Sequence, residues 1–147
     1  INMKILISFL FLLTHSNAFA AATYDSINSS EEYQKAEKLI NNGSYESAIN
    51  LLESLLSEDP DGYTKADLYN YLGFATRKQT NPNYDLAEKY YLKALEINNN
   101  HLGALEYLGE LYYETNRPDQ ALKLLSRIKM FAGENSQEYI QLYELLN

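Results

Sequence analysis

The segments YLGFATR, residues 71–77, and YLGELYY, residues 107–113, carry the same Tyr-Leu-Gly triplet 36 residues apart. Each triplet lies in an apolar pattern that otherwise favours a helix, although glycine in a helix interior costs about 1 kcal/mol relative to alanine. Because the same unfavourable residue recurs at the same place in the pattern, we predict that another helix packs closely against each glycine.

A second helical pattern follows each triplet after a turn. It reads NYDLAEKYYLKALEINNN over residues 83–100 and RPDQALKLLSRIKMFAG over residues 117–133, with Ala87 and Ala121 in equivalent places 34 residues apart. An earlier segment, GSYESAINLLESLLSEDP at residues 43–60, has the same arrangement of small and apolar residues. The chain therefore repeats a unit of two helices three times.

A period of 34 residues with two helices in each unit resembles the tetratricopeptide repeat (TPR) family. The matching residues are Ala36, Leu39, Ala48, Leu52, Leu55 and Pro60 in the first copy, Tyr69, Leu72, Gly73, Ala87, Tyr91 and Ala94 in the second, and Leu105, Leu108, Gly109, Tyr112 and Ala121 in the third. The resemblance covers residues 29–133 and implies an all-α fold, a TPR helical-hairpin solenoid of about three repeats with a C-terminal capping helix. The expected units are residues 29–62, 63–101 and 102–133, followed by the capping helix at residues 134–147.

The resemblance gives the two glycines a reason. In each unit the first helix must lie close against the second, and small residues mark the crossing. We expect Gly73 to face the region of Ala87 and Ala94, and Gly109 to face the region of Ala121. A larger side chain at either glycine would push the pair apart.

The last helix is expected to begin at a capping box of Asn135 and Glu138. Its apolar residues Ile140, Tyr143 and Leu146, with Leu142 and Leu145 nearby, would then cover the exposed end of the third repeat. A terminal helix of this kind shields the apolar face that the last repeat would otherwise present to water.

Residues 1–20 have the order of a secretory signal peptide: a basic start, an apolar run from Ile5 to Leu13 and a small-x-small site at Ala18-Phe19-Ala20. The apolar run has nine residues, whereas a membrane span needs about 20. Cleavage is expected after Ala20 or Ala22, ahead of a flexible leader that reaches residue 28. The pattern predicts export to the periplasm or the surroundings of a bacterium, with no membrane span after cleavage.

The composition excludes several classes of function. The 147-residue chain has 12 Lys and Arg against 20 Asp and Glu, a net charge of −8 that argues against nucleic acid as a partner. It has no cysteine, which excludes a disulfide framework, a thiolate nucleophile and a cysteine-ligated metal. His101 is the single histidine after the signal, and no catalytic motif surrounds it. We therefore predict a protein that is not an enzyme and uses no metal or cofactor.

In the TPR family the first helices of the repeats line a concave groove, and the resemblance implies the same role here. The predicted groove residues are Tyr33, Glu37, Asn70, Tyr71, Phe74, Glu106, Tyr107, Glu110, Tyr113 and Glu114. They predict an aromatic floor, in which Tyr107 lies beside Tyr71, and an acidic edge. Such a groove suits a neutral or basic extended segment of a protein or peptide. The alternative is that the tyrosines only pack between repeats.

The sequence is compatible with three functions. The protein could be a periplasmic adaptor or scaffold that binds a partner in its groove. It could be a structural or assembly subunit, including a homo-oligomer, that packs through its convex face or its ends. It could also regulate an enzyme encoded elsewhere. The stretch NHLGALEYLGELY, residues 100–112, resembles the last repeat of small exported bacterial TPR proteins of unassigned activity, a resemblance that implies no reaction.

Overall fold

The computed structural model describes residues 29–147; the predicted signal peptide at residues 1–20 and leader at residues 21–28 lie outside the described residues. Seven helices and no strand occur in the described part of the chain. They are α1, described over residues 29–41, α2 (Tyr45–Ser54), α3 (Lys65–Lys78), α4 (Tyr84–Ile97), α5 (Leu102–Glu114), α6 (Pro118–Ala132) and α7 (Gln137–Leu146). A short 3₁₀ turn, Leu55–Ser57, extends α2.

Side-chain caps mark the starts of α3, α4, α5 and α7. Thr64 and Asp67 form a reciprocal capping box at the start of α3. The Asn83 side chain accepts a hydrogen bond from the Leu86 backbone N–H at the start of α4. Pro118 occupies the first turn of α6, where no intrahelical hydrogen bond is lost. These local signals divide the apolar pattern into helices of 10 to 15 residues in α2 to α7.

The helices pack as pairs: α3 packs mainly on α4, and α5 mainly on α6, with α4 joining the second pair to the third. One buried apolar core joins α1, α2 and α3, and a second joins α4, α5, α6 and α7, with Tyr69 packed against both. The all-α TPR helical-hairpin solenoid predicted from the 34-residue period is confirmed. We call α1, α3 and α5 the A helices, and the face that they form the A-helix face.

The glycine of the second repeat lies where the sequence placed it. A Cβ atom at Gly73 would be 2.7 Å from both Cδ1 and Cε1 of Tyr91. Tyr91 is fully buried on α4, between Ala87 and Ala94. The ring can therefore lie flush against α3 only because residue 73 has no side chain, and the predicted close crossing of α3 and α4 is confirmed.

The glycine of the third repeat has a different neighbour from the one expected. A Cβ atom at Gly109 would be 2.5 Å from Cδ2 of Leu142, which belongs to α7. The tight contact is thus with α7 and not with Ala121 of α6, which corrects the prediction. The physical reason is that α7 packs against both α5 and α6, as the first helix of a further unit would.

The buried face of α7 agrees with the prediction at Leu142 and Leu146 and differs from it at Ile140 and Tyr143. Leu142 is fully buried, and Tyr139 and Leu146 pack against the core, whereas Ile140 and Tyr143 are 43% and 47% exposed. The buried residues are three and four positions apart and share one face of the helix. The cap is also one residue later than predicted, because the Ser136 Oγ accepts a hydrogen bond from the Tyr139 N–H at 3.3 Å. Asn135 is therefore outside the helix.

Gly109→Ala should lower the free energy of unfolding by about 1 kcal/mol, because the added methyl group meets Leu142. The loss should be modest, since the end of a leucine side chain can move and alanine is the better helix former. Urea denaturation would measure it, with Leu142→Ala as the background in which the penalty disappears. A more stable Gly109→Ala variant would show that α7 does not press on α5 at this point.

Candidate groove on the A-helix face

The N-terminal part of the A-helix face is a group of stacked tyrosines. The rings of Tyr33 and Tyr63 are parallel with centroids 4.3 Å apart, and Tyr71 lies 5.8 Å from Tyr33. The Tyr71 hydroxyl donates a hydrogen bond to Glu37 Oε1 at 3.1 Å. Burial and the neighbouring Glu37 raise the pKa of Tyr71 to about 12, so its hydroxyl stays protonated and available as a donor at neutral pH.

A second aromatic group lies at the junction of α3 and α5. The Phe74 and Tyr107 ring centroids are 4.8 Å apart, and Tyr107 is 6.3 Å from the buried Tyr91. The ring neighbour of Tyr71, by contrast, is Tyr33. The direct ring neighbour of Tyr107 on α3 is therefore Phe74, and Tyr107 also acts electrostatically on Tyr71.

The predicted floor residues differ in how much of each ring reaches solvent. Tyr71, Phe74 and Tyr107 are half-buried, and Tyr33 is 7% exposed. Tyr113, at the far end of α5, is 45% exposed. The rings thus pack on one another, as the alternative interpretation required, while three of them keep a solvent-facing part that a ligand could cover.

Most of the predicted acidic edge is paired with a basic residue of the protein itself. Arg77 of α3 is 2% exposed, and its guanidinium forms ion pairs with Glu110 and, at 3.3 Å, with Glu114. The guanidinium carbon also lies 5.9 Å from the ring centroids of both Phe74 and Tyr107. Two of the three glutamates predicted to face a partner are therefore already held by an arginine, which ties α5 to α3.

Glu106 is the exception among those glutamates. It is 3% exposed and makes no hydrogen bond or ion pair within residues 29–147. Burial, followed by repulsion from Glu110 and Glu138, raises the pKa of the Glu106 carboxyl to about 8. A carboxyl in this setting retains its proton at neutral pH unless a cation is brought to it.

Asn70 occupies the place in α3 that Glu106 occupies in α5, since each directly precedes the Tyr of a Tyr-Leu-Gly triplet. It is 6% exposed, and its Oδ1 has no hydrogen-bond donor within the described residues. A buried acceptor without a donor costs about 1–3 kcal/mol. Both repeats thus carry an unsatisfied acceptor at the same register of the A-helix face.

The sequence around His101 contains no catalytic motif, and the structure shows that this histidine caps a helix. His101 Nδ1 accepts a hydrogen bond from the Ala104 N–H and caps α5, so Nε2 carries the proton and donates to Asp67 Oδ1 at 3.0 Å. Asp67 in turn belongs to the capping box of α3. A polar cleft of about 300 Å³ opens beside this pair and is also lined by Glu37 and Asn70.

The ion pairs of Arg77 and the His101–Asp67 contact were missed from the sequence. Each joins residues about one repeat apart: 33 and 37 positions for Arg77, and 34 for His101. A search for opposite charges one period apart on the first helices would have found Arg77. Of the ten predicted groove residues, the structure places Phe74, Tyr107, Glu110 and Glu114 around one side chain, the buried Arg77.

No three His, Asp or Glu side chains in residues 29–147 lie close enough together to hold a metal ion. None of the helices in the same range combines the length and apolar character that a membrane span requires.

The fold agrees with the comparison against known families. The family model described as tetratricopeptide repeat matches residues 81–146, from the turn before α4 to the end of α7. The protein is therefore a tetratricopeptide-repeat protein, and the recognition made from the 34-residue period is confirmed. Domains of this family bind other proteins and are typically not enzymes.

One relative can be described. The uncharacterized protein ycf37 of Porphyra purpurea is 31% identical over 101 residues, which is 68% of this chain and 57% of the relative. The chain thus spans a little over half the length of that relative, whose name assigns no activity. The narrower resemblance to small exported bacterial proteins stays a prediction.

Proposed function

We propose that the protein is a non-enzymatic interaction module that binds an extended segment of a partner protein along its A-helix face. The observation that carries the proposal is the row of half-buried rings of Tyr71, Phe74 and Tyr107 on successive A helices. Each ring contacts another aromatic ring and keeps part of its surface exposed to solvent. Rings held in this way lose little side-chain entropy when a ligand covers them, and they are the usual energetic centres of interfaces.

The charge of this face supports a neutral or basic segment. Arg77 is paired with both Glu110 and Glu114, and Glu37 has no cationic partner among the described residues. The excess of carboxylates would repel an acidic segment, and the chain as a whole has a net charge of −8. A basic partner would also associate faster at low ionic strength.

Random twelve-residue peptides displayed on phage and selected on the full chain would test the proposal. Wild-type protein should enrich peptides with apolar or aromatic residues at alternating positions, as expected for an extended segment. The enriched peptides should compete with one another, because they share one groove. If no peptide is enriched over an unrelated helical protein, the proposal fails.

The exposed apolar side chains of α7 favour a second candidate, an assembly subunit that packs through its end. Ile140 and Tyr143 line a recess of about 390 Å³ together with Tyr139 and two glutamates. Sedimentation of the full chain at increasing concentration would distinguish the candidates: a stable homo-oligomer that Ile140→Ser dissociates would favour assembly through α7.

We also propose that the protein is exported, on the basis of the signal-like order of residues 1–20. An exported adaptor would meet its partner in the periplasm or outside the cell. N-terminal mapping of the abundant cellular species should find Ala21 or Thr23 as the first residue. Retention of Met3 on that species would contradict export by cleavage.

A further inference from the structure

Glu106 is a buried residue whose carboxyl has no hydrogen bond or ion pair among the described residues. The charged groups that act on it come from three helices: Arg77 of α3, Glu110 of α5 and Glu138 of α7. Tyr107, its neighbour along α5, faces the same carboxyl. Two of these helices, α3 and α5, form the A-helix face, and Glu106 itself lies on α5.

The nearest cation is paired with other acids. The Arg77 guanidinium forms ion pairs with Glu110 and Glu114 and none with Glu106. Two further acids, Glu110 and Glu138, repel a negative charge on the Glu106 carboxyl. The local balance is therefore one arginine against four glutamates, counting Glu114, and a single additional positive charge would relieve it.

A second buried acceptor marks the same register of the neighbouring repeat. Asn70 is 6% exposed, and its Oδ1 lacks a donor within the described residues. The Asn70 oxygen on α3 and the Glu106 carboxyl on α5 stand at the same register, and neither has a hydrogen-bond partner among the described residues, so both could accept donors from a bound segment. A basic side chain with several N–H donors is the group that fits the Glu106 carboxyl.

We infer that Glu106 is the specificity site of the groove and binds one lysine or arginine side chain of the partner segment. The inference rests on the proposed function, because it takes the partner to lie along the A-helix face. Tyr107 would pack on the methylene stem of the basic side chain while the charged end meets the carboxylate. Neutral segments would then bind through the aromatic rings alone and more weakly.

The inference predicts a particular dependence on pH. Because the pKa of the free Glu106 carboxyl is raised to about 8, this group is protonated at pH 7 and must release its proton when the cation arrives. Affinity for a basic peptide should therefore rise up to tenfold per pH unit as pH increases toward 8, and level off above it. A site buried in this way should also depend less on salt than an exposed ion pair does.

The test uses random twelve-residue peptides displayed on phage and selected on the full chain as wild type, Glu106→Gln and Glu96→Gln. Glu96 lies exposed on α4, away from the A-helix face, and is the matched control. Wild type and the control should enrich Lys or Arg at one fixed position, and Glu106→Gln should not. Circular dichroism would verify that Glu106→Gln keeps its helices.

The most enriched wild-type peptide and its copy with norleucine in place of the basic residue complete the test. The basic peptide should bind wild type at least tenfold more tightly at pH 8 than the norleucine peptide, with release of about one proton at pH 7 measured by calorimetry in two buffers. Both differences should vanish in Glu106→Gln. Enriched peptides that lack a basic position overturn the inference and leave the groove intact, whereas no enriched peptide overturns both.

Discussion

Gly73→Ala should lower the free energy of unfolding by about 2 kcal/mol, the largest effect that we expect from a single added methyl group in this chain. The new Cβ would lie 2.7 Å from two carbons of the Tyr91 ring, which is fully buried and cannot swing aside as the end of a leucine can. The clash should outweigh the gain of about 1 kcal/mol that alanine brings to a helix. Urea denaturation followed by circular dichroism measures the difference.

A double-mutant cycle with Tyr91→Leu is the control for this effect. Tyr91→Leu alone should destabilise the protein, because it leaves a cavity beside Gly73. In that background Gly73→Ala should cost nothing or stabilise, since the methyl group enters the vacated space. Equal penalties in both backgrounds would mean that the glycine is required for a reason other than the Tyr91 ring.

Tyr71→Ala combined with Tyr107→Ala should abolish binding of the partner segment while leaving the helical content unchanged. Both rings are half-buried; Tyr71 contacts the ring of Tyr33, and Tyr107 contacts the ring of Phe74. Truncation of an aromatic anchor of this kind costs about 2 kcal/mol or more of binding free energy. The two losses should add, because the rings belong to different aromatic groups. Titration calorimetry with a selected peptide measures the affinity.

The matched control removes the same kind of surface from the other side of the molecule. Tyr84 and Leu92 lie on α4 and are 39% and 47% exposed. Tyr84→Ala with Leu92→Ala should bind the peptide as wild type does. If this control loses binding and the Tyr71 and Tyr107 variant keeps it, the partner lies on the convex face, and the assembly-subunit candidate replaces the groove.

The fold could be predicted because its determinants repeat. Period, turn residues and small residues all point to paired helices, and the close approach of α3 to α4 follows from Gly73 alone. The prediction failed at Gly109, where α7 supplies the contact in the form of Leu142. A repeat pattern describes contacts within a unit, whereas the end of the stack depends on how the terminal helix rotates, and two apolar stripes on α7 were compatible with the sequence.

The candidate groove was less predictable than the fold. The pattern placed Glu106, Glu110 and Glu114 on one helix face but could not tell which of them an internal cation would take. Arg77 took Glu110 and Glu114 from a helix one repeat earlier. Side-chain pairing across repeats depends on rotamers and on distances between helices, which a period alone does not give, so the unpaired state of Glu106 emerges only from the structure.

The most direct test of the groove is a pair of photo-crosslinking probes of matched exposure. Benzoylphenylalanine would replace Tyr113, 45% exposed at the end of the A-helix face, or Leu92, 47% exposed on α4. With a selected peptide, the probe at position 113 should give a crosslink that unlabelled peptide competes away, and the probe at position 92 should give none. Crosslinking at position 92 alone would contradict the account, because the partner would then lie on the face opposite to the aromatic rings.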